Sequence, residues 1–306
     1  MTIRVAIIGF GKIARAEHVP AIAADPDFEL VAVVAPNGAQ GAGVPVFASL
    51  AAMLAAMPDG VDAVSLCTPP RVRRAIAAEA IAAGLAVLLE KPPAATFGEL
   101  QDLEARARAA GTCLFAAWHS QHAPAVAPAA AALAGETITR LAITWHEDVT
   151  RWHPGQDWIW EPEGFGVFDA GINALSIASA ILREPLFVTG AAFTIEPGRQ
   201  APIAAALTFA GERRTATFDW RATDEEVREI HVATAAGRRI AIRDGGASLS
   251  LDGAEQPLGP FAEYPALYRH FARLVAERSV AVDAAPLRII ADAALIARRL
   301  STASRA

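Results

Sequence analysis

Short apolar runs alternate with alanine-rich segments of helical spacing through the first third of the chain. Strands this short and this uniformly apolar are typical of a parallel sheet buried on both faces, with a helix between successive strands. We therefore predict an α/β domain built on a parallel sheet over residues 1–121. The predicted strands are Arg4–Ile8, Glu29–Val34, Ala63–Cys67, Ala86–Leu89 and Thr112–Ala117, and the predicted helices are Arg15–Ala24, Leu50–Ala56, Arg71–Ala83 and Phe97–Ala110.

The pattern changes after Gln121, where most strands follow one another through short turns. Such an order is typical of an antiparallel sheet, and Asp244-Gly245-Gly246 indicates a hairpin within it. For residues 122–306 we predict an α+β domain with a mostly antiparallel open sheet and helices on one face, its final helices being candidates to pack back toward the first domain. The predicted strands are Ile138–Trp145, Phe187–Ile195, Ala204–Phe209, Arg214–Trp220, Glu229–Thr234, Arg239–Arg243 and Ala247–Leu251, and the predicted helices are Phe165–Leu182, Pro265–Arg278 and Pro286–Leu300.

Composition narrows the classes of partner. The 306 residues carry a net charge of -6 with scattered cations, which argues against nucleic-acid binding. The longest uncharged stretch, Ala109–Gly135, is interrupted by glycine, proline and polar residues, so we expect no membrane span. Met1–Arg4 leads directly into a strand without a signal-peptide pattern, which predicts a cytoplasmic protein. Cys67 and Cys113 form no disulfide framework and are expected to be buried thiols.

A glycine motif follows the first predicted strand. In Gly9-Phe10-Gly11-Lys12-Ile13-Ala14 the first glycine permits a tight turn, and the second lets the backbone approach a pyrophosphate at the helix start. The motif predicts a Rossmann domain that binds NAD or NADP through Gly9, Gly11, Lys12 and Ile13. At the end of the second strand, Asn37 can bond a ribose hydroxyl or simply form a turn. No cation stands there, so the choice of cofactor stays open with a slight preference for NAD.

Two further strand ends carry candidate cofactor residues. Cys67-Thr68-Pro69-Pro70 forms either a rigid turn against the nicotinamide ribose or only the proline start of a helix capped by Thr68. In Glu90-Lys91-Pro92-Pro93 a lysine stands at the mouth of a buried strand, where a charge is costly unless something needs it. We predict proton transfer by Lys91 beside the nicotinamide. Glu90 is either its ion-pair partner or a ribose ligand.

A second polar cluster lies in the C-terminal half. Asp169 and Asn173 fall on one face of an otherwise apolar predicted helix, which favours a functional over a purely structural role. Before that helix, residues 146–160 combine three tryptophans with polar side chains, a composition suited to holding a sugar or to filling a domain interface. His119 is directed toward the same region. The histidines lack metal-ligand spacing, so we expect no metal.

These motifs resemble those of the Gfo/Idh/MocA oxidoreductase family and, within it, of the bacterial aldose 1-dehydrogenases that act on D-galactose and L-arabinose. The resemblance spans nearly the whole chain and is most specific in Trp152-His153-Pro154-Gly155-Gln156 and Phe168-Asp169-Ala170-Gly171-Ile172-Asn173. It implies that Lys91 lies at the substrate C1 oxygen with Asp169 as its catalytic companion. The residues that it places around the sugar are Lys91, His119, Glu147, Trp152, His153, Asp169 and Asn173.

This chain also departs from the family pattern at several positions. The broader family usually has a histidine where this chain has Asn173, which moves proton transfer onto Lys91 and Asp169. Ala35 and Pro36 replace the serine and arginine of NADP-using relatives.

The implied activity is NAD(P)-dependent oxidation of an aldopyranose at C1 to the aldonolactone. The alternatives are another polyol or carbonyl oxidoreductase, or a cofactor-sensing regulator without turnover. We expect a small-molecule sugar as substrate and a homodimer formed through the C-terminal sheet.

Overall fold

The computed structural model describes residues 2–161 and 164–301, which form two compact units. Unit 1 comprises the chain up to His119 together with Glu263–Ala284, and unit 2 comprises Ser120–Ala262 and the chain from Ala285 onward. The first crossing between units falls two residues from the predicted boundary. The segment Glu263–Ala284 lies in unit 1, although the predicted second domain included it.

Strands and helices are numbered here in chain order over the described residues. The strands are β1 (Ile3–Ile8), β2 (Phe28–Val34), β3 (Val46–Phe47), β4 (Ala63–Leu66), β5 (Ala86–Glu90), β6 (Leu114–Ala117), β7 (Ile138–His146), β8 (Val188–Ile195), β9 (Ala204–Phe209), β10 (Arg214–Asp219), β11 (Val227–Thr234), β12 (Arg239–Arg243), β13 (Ser248–Leu251), β14 (Ala254–Glu255), β15 (Val280–Ala281) and β16 (Arg298–Ser301). The helices are α1 (Val19–Ala24), α2 (Leu50–Ala56), α3 (Pro70–Ala82), α4 (Phe97–Ala110), α5 (Val126–Ala132), α6 (Val149–Trp152), α7 (Phe168–Ile181), α8 (Glu263–Glu277) and α9 (Ala285–Ile296).

Unit 1 is built on a parallel sheet in the order β15-β6-β5-β4-β1-β2-β3. Every pair in it is parallel. All residues of β4 and β5 are buried, because helices cover both faces of such a sheet. The parallel order brings the carboxyl ends of β1, β4, β5 and β6 to one edge. The predicted Rossmann sheet is confirmed.

Helix α8 explains why a late segment belongs to unit 1. Its buried residues recur at helical spacing and pack on the first sheet. Tyr268 meets Phe28 edge-on with ring centroids 5.1 Å apart, and Phe271 stacks on Phe28 at 6.0 Å and on Phe115 at 6.1 Å. Aromatic burial of this size holds the returning helix in place.

Unit 2 contains a mixed sheet in the order β14-β13-β12-β11-β7-β10-β9-β8-β16. Most pairs are antiparallel, and β12 and β13 form the predicted hairpin around Asp244–Gly246. Two pairs are parallel, β7 with β10 and β8 with β16. Helix α7 contacts β7 and β11, while α9 contacts β8. The predicted open, mostly antiparallel sheet with helices is therefore confirmed.

Several predicted boundaries were wrong. The final helix ends at Ile296 instead of Leu300, and Arg298–Ser301 pairs with β8, whose edge offers unpaired backbone groups. The helix predicted from Arg15 already begins at Lys12 and passes through a π-helical turn at Ala14–His18. The tryptophan-rich segment 146–160, for which neither a helix nor a strand was predicted, contains α6 and a 3-10 turn at Asp157–Trp160.

Side-chain caps begin two helices of unit 1. The Ser49 hydroxyl accepts a hydrogen bond from the Ala52 amide at 3.1 Å, and the Thr96 hydroxyl accepts one from the Glu99 amide at 3.2 Å. Such caps satisfy amide groups that have no partner in the first helical turn. Within the described residues, no helix has the length and apolar character needed to cross a membrane.

Candidate active site

The glycine motif lies at the carboxyl end of β1. Gly9 has a φ of +89°, and a Cβ atom there would lie 3.0 Å from the backbone of Cys67 and of Thr68. A side chain at this position would collide with the end of β4, so the close approach of the two loops requires glycine. A Cβ atom at Gly11 would instead point into open space. Lys12 and Ile13 already belong to the helix that follows.

The Cys67–Pro70 turn provides a second test of whether a dinucleotide fits. Pro70 is the first residue of α3, as the helix-start interpretation expected, but Thr68 does not cap that helix. The Thr68 hydroxyl is buried and has no hydrogen-bond partner among the described residues. Buried hydroxyls rarely stay unpaired, so this one suits a ligand hydroxyl or amide. Together with the open space at Gly11, it fits a nicotinamide dinucleotide. Cys67, expected to be buried, is only half-buried.

The end of β2 forms a turn in which Asn37 is exposed. The Gly38 amide donates to the Ala35 carbonyl at 3.0 Å and closes this turn. Both alternatives for Asn37 remain compatible with this position, because an exposed turn residue can also reach a ribose.

Glu90 is buried beneath the Lys91 loop. Its side chain is 3% exposed, and its Oε1 atom accepts a hydrogen bond from the Tyr264 hydroxyl at 2.6 Å. The same atom lies 3.0 Å from Nε2 of the fully buried His18. Oε2 accepts from the Lys91 amide at 2.8 Å. Protein groups thus contact both carboxylate oxygens, and among these contacts Lys91 meets Glu90 through its backbone amide. A ribose contact of Glu90 stays a prediction.

Tyr268 extends the buried network on the other side of His18. Its hydroxyl lies 2.8 Å from His18 Nδ1 and 2.9 Å from the Ser65 hydroxyl. Helix α8 contributes both tyrosines, so the segment that returns to unit 1 also completes the hydrogen bonds beneath the Lys91 loop.

This network fixes the charges of its two ionisable groups. Burial alone would raise the pKa of Glu90, but hydrogen bonding and charge from His18, with help from His119 and Tyr264, lower it to about 2. Burial alone would lower the pKa of His18, but Cys67, Tyr268 and Glu90 together raise it well above the ordinary value. The pair is therefore a buried carboxylate and imidazolium.

Arg73 holds the same loop from the opposite side. This buried arginine of α3 donates to the backbone carbonyl oxygens of Glu90, Pro92 and Thr68. With the bond from the Lys91 amide to Glu90, side chains hold both polar atoms of the Glu90–Lys91 peptide group and the carbonyl of Pro92. The guanidinium also connects this loop to the Cys67–Pro70 turn. A planar group with five donors suits this task better than an amine.

His119 lies at the carboxyl end of β6. Its Nδ1 atom is 2.8 Å from Glu263 Oε2, and its ring stacks on Tyr264 at 5.4 Å. Burial opposes its charged form, but Glu263 and, further away, Glu90 raise the pKa of His119 while the charge of Lys91 lowers it. His119 and Lys91 therefore influence one another at the same edge of unit 1.

Asp169 and His153 meet within unit 2. Asp169 lies in the first turn of α7 with 8% exposure, and its Oδ2 atom is 3.3 Å from His153 Nε2. His153 Nδ1 lies 3.2 Å from Gln156 Oε1, and its ring is 5.2 Å from that of Trp220. Asn173 follows one turn after Asp169 and is half-buried. The predicted shared face of Asp169 and Asn173 thus lies beside His153.

A glycine brings α7 close to the sheet at this point. A Cβ atom at Gly171, two residues after Asp169, would lie 2.6 Å from the Phe218 ring of β10. Only glycine lets the helix approach the strand so closely without displacing that ring. The contact fixes the height of the Asp169 turn above the sheet.

Two indole groups hold carboxylates near the end of β7. The Trp145 indole donates to Glu147 Oε1 at 2.8 Å, and the Trp152 indole donates to Glu226 Oε1 at 2.6 Å. Glu147 is buried, whereas Trp152 is half-buried and has the Arg151 guanidinium 5.1 Å from its ring centre. Both residues expected to bind sugar therefore have well-defined protein partners.

Several residues of these networks were not predicted as site residues. They are His18, Arg73, Glu226, Glu263, Tyr264 and Tyr268. Tyr264 and Tyr268 are four residues apart on the apolar face of α8, and that spacing was a detectable signal. Within the part of the chain that the structure describes, no group of three or more His, Cys, Asp or Glu side chains has a metal-binding arrangement.

A parallel sheet, a glycine loop after its first strand and the buried, unpaired Thr68 hydroxyl are together typical of a nicotinamide-dependent oxidoreductase. The profile of the Gfo/Idh/MocA family, described as an oxidoreductase family with an NAD-binding Rossmann fold, matches residues 3–117. Galactose 1-dehydrogenase of Pseudomonas fluorescens is 43% identical over 302 residues, which cover 98% of this chain and 97% of that protein. The chain therefore belongs to the Gfo/Idh/MocA oxidoreductase family.

Solved structures agree with this assignment. The crystal structure of D-galactose-1-dehydrogenase from Rhizobium etli is 47% identical, has a TM-score of 0.93 and covers 98% of this chain and 97% of its own. A 3-ketoreductase from Actinomadura kijaniata, solved with NADP and TDP-benzene, is 21% identical with a TM-score of 0.84, covers 99% of this chain and 100% of its own, and supports the fold. The cofactor is NAD or NADP.

Proposed function

We propose that the protein is an NAD(P)-dependent aldose 1-dehydrogenase that oxidises an aldopyranose such as D-galactose or L-arabinose at C1 to the aldonolactone. The observation that carries the proposal is similarity to two galactose 1-dehydrogenases along nearly the whole chain. L-Arabinose shares the ring configuration of D-galactose and lacks only C6, so one site can accept both.

We propose that Lys91 and Asp169 take up the proton from the C1 hydroxyl, and that C1 gives up its hydrogen as hydride. A bound nicotinamide supplies the hydride acceptor. Loss of a proton from oxygen and a hydride from C1 leaves the lactone carbonyl, which balances atoms and electrons. The proposal assigns the proton to Lys91 and Asp169 together and names neither as the sole general base.

The composition of the chain supports a lysine in this role. Lys12 and Lys91 are the two lysines of the sequence, and its other basic side chains, histidine aside, are arginines. Arginine stays protonated in proteins, whereas an amine can exchange its proton. A lysine retained at the end of β5 is therefore suited to proton transfer, and the bonds from Glu90 and Arg73 hold its backbone at a fixed position.

We propose that His119, Glu147, Trp152, His153 and Asn173 bind the hydroxyl groups and the apolar face of the sugar. The partners described above restrict the side chains of His119, Glu147, Trp152 and His153 to a narrow range of positions, which an ordered sugar site needs. We propose that Gly9, Gly11, Lys12, Ile13, Asn37 and the Cys67–Pro70 turn bind the cofactor.

A panel assay tests this function. The protein is mixed with NAD or NADP and with D-galactose, L-arabinose, D-glucose, a polyol and a ketose, and reduced nicotinamide is followed by absorbance. We expect turnover with D-galactose and L-arabinose and release of the lactone. Turnover with the polyol alone would favour a different oxidoreductase, and silence with tight cofactor binding would favour a sensor.

We also propose a homodimer formed through the sheet of unit 2. A shallow depression of about 590 Å³ lies on this sheet and is lined by residues of β7, β11, β12 and β13, among them Arg140, Glu229, His231 and Arg239. An uncovered sheet face of mixed charge can pair with a second copy. Light scattering at micromolar concentration should give twice the chain mass, and a monomer would refute this.

We propose a cytoplasmic location, where free nicotinamide cofactors are available.

A further inference from the structure

The loop after β2 carries no charge of its own. From Ala35 to Pro45 it contains glycine, alanine, proline, valine, asparagine and glutamine. In a Rossmann fold this loop faces the adenosine ribose, where a carboxylate selects NAD and an arginine accommodates the 2′-phosphate of NADP. The loop itself therefore neither repels nor attracts a 2′-phosphate.

Arg15 brings a cation to this loop from another part of the chain. Its side chain leaves the π-helical turn after the glycine motif, and an Nη1 hydrogen is donated to the Gln40 carbonyl at 2.7 Å. Nε lies 3.3 Å from the Phe10 carbonyl, which accepts its hydrogen bond. The guanidinium also lies over the Phe10 ring, 4.2 Å from its centre. Arg15 thus bridges the loops that follow β1 and β2.

The charge of Arg15 is not neutralised by the protein. Throughout residues 2–161 and 164–301, no carboxylate lies within ion-pair distance of this guanidinium, and the residue is exposed. Two of its donors bond to carbonyl oxygens, and a guanidinium has five. The cation is therefore held in place by backbone and aromatic contacts while most of its donors remain available.

We propose that Arg15 is a specificity-determining residue that binds the 2′-phosphate of NADP and so allows this protein to use NADP. It supplies the cation that the loop after β2 itself lacks. Its planar fork matches the geometry of a phosphate group. The proposal concerns cofactor selection and depends on neither the sugar nor the role of Lys91.

Binding measurements test the proposal without turnover. Adenosine 2′,5′-bisphosphate and 5′-AMP are titrated by calorimetry into the wild type, Arg15→Ala, Arg15→Lys and Arg108→Ala. Arg108 is the matched control, because it is an exposed arginine of unit 1 on α4, paired with Glu104 at 2.6 Å. The Kd values of NADPH and NADH, followed by their fluorescence, provide the same comparison with whole cofactors.

We expect Arg15→Ala to raise the Kd of the 2′-phosphorylated probe about tenfold or more, the loss typical of a charge-assisted contact, and the Kd of 5′-AMP by less than about twofold. The Kd of Arg15→Lys for the 2′-phosphorylated probe should lie between those of the wild type and Arg15→Ala. Arg108→Ala should leave the ratio of the two Kd values unchanged. Equal weakening of both probes, no weakening, or a wild type that does not prefer the 2′-phosphorylated probe would each overturn the proposal. NAD-linked sugar oxidation by Arg15→Ala reports separately on the proposed function.

Discussion

The two candidate catalytic residues are held in different ways within their own units. Lys91 stands on a loop whose backbone is bonded to buried charged side chains, with the Glu90–His18 pair on one side and Arg73 on the other. Asp169 stands at a helix start and meets His153, whose side chain is 17% exposed and packs against the Trp220 ring. The cofactor-binding unit uses a buried ion pair and a buried arginine, and the other unit uses indole and imidazole groups.

Because of this difference, mutations in the two regions should affect stability and activity differently. Removing one partner of a buried charge leaves an uncompensated group, so the Lys91 loop should respond to mutation through stability as well as activity. The indole contact of the half-buried Trp152 contributes less to folding, so changes there should act mainly through substrate affinity.

The largest effect is expected at the two proposed proton acceptors. Lys91→Met and Asp169→Asn should each lower kcat by about 10²–10⁴-fold, because each removes one of the two proposed proton acceptors. The Kd of NADH, measured by fluorescence, should change little. Asp157→Asn is the control, since the Asp157 side chain is 92% exposed. Near-normal kcat in either variant would remove that residue from the mechanism.

The next largest effect is expected from loss of the hydrogen bonds that Arg73 donates to the Lys91 loop. Arg73→Met leaves three buried carbonyl oxygens without their donor and should reduce the free energy of unfolding by about 3 kcal/mol. The neighbouring Arg74, which is partly exposed and pairs with Asp102 at 2.6 Å, supplies the control. Arg74→Met should cost less than about 1 kcal/mol. Equal losses in urea denaturation would show that the buried Arg73 contacts stabilise the fold no more than a surface ion pair does.

The Glu90–His18 pair should make stability depend on pH. The lowered pKa of Glu90, about 2 against an ordinary 4.5, gives stabilisation that is full above pH 4.5 and is lost as pH falls toward 2. The raised pKa of His18 gives stabilisation that is full below pH 6.5 and fades as pH rises through the raised value. Glu90→Gln should therefore differ most from the wild type between pH 4.5 and 6.5.

Denaturation of both proteins at pH 3, 5.5 and 9 measures this difference. The gap in free energy of unfolding should be widest at pH 5.5 and narrower at pH 3. A gap that is the same at all three values would mean that the buried pair carries no net charge separation.

The smallest effect is expected in the aromatic region of unit 2. Trp152→Phe keeps a ring but loses the indole bond to Glu226, and should raise the KM for the sugar about fivefold with little change in kcat or stability. Trp158→Phe is the matched control, because Trp158 is 46% exposed. A larger fall in stability than in sugar affinity would contradict the contrast between the two regions.

Local patterns were sufficient to predict much of the fold and part of the site. Gly9 and the strands β1, β4 and β5 follow from an apolar run ended by a turn, a signal contained in a few adjacent residues. The pairing of Arg73 with the Lys91 loop could not be predicted, because arginine on a helix usually faces solvent. His18 and Tyr268 are 250 residues apart, and no local pattern links them. The strand Arg298–Ser301 depends on an open edge at β8 that the sequence does not reveal.

Direct oxidation of an aldose at C1 is tested most sharply by following deuterium from C1 of the sugar to the nicotinamide. D-Galactose carrying deuterium at C1 is incubated with the protein and NAD or NADP, and the reduced nicotinamide and the sugar product are examined by NMR. We expect one deuterium on the reduced nicotinamide ring and galactonolactone as the product. Reduced nicotinamide without deuterium, or a product oxidised at another carbon, would contradict it.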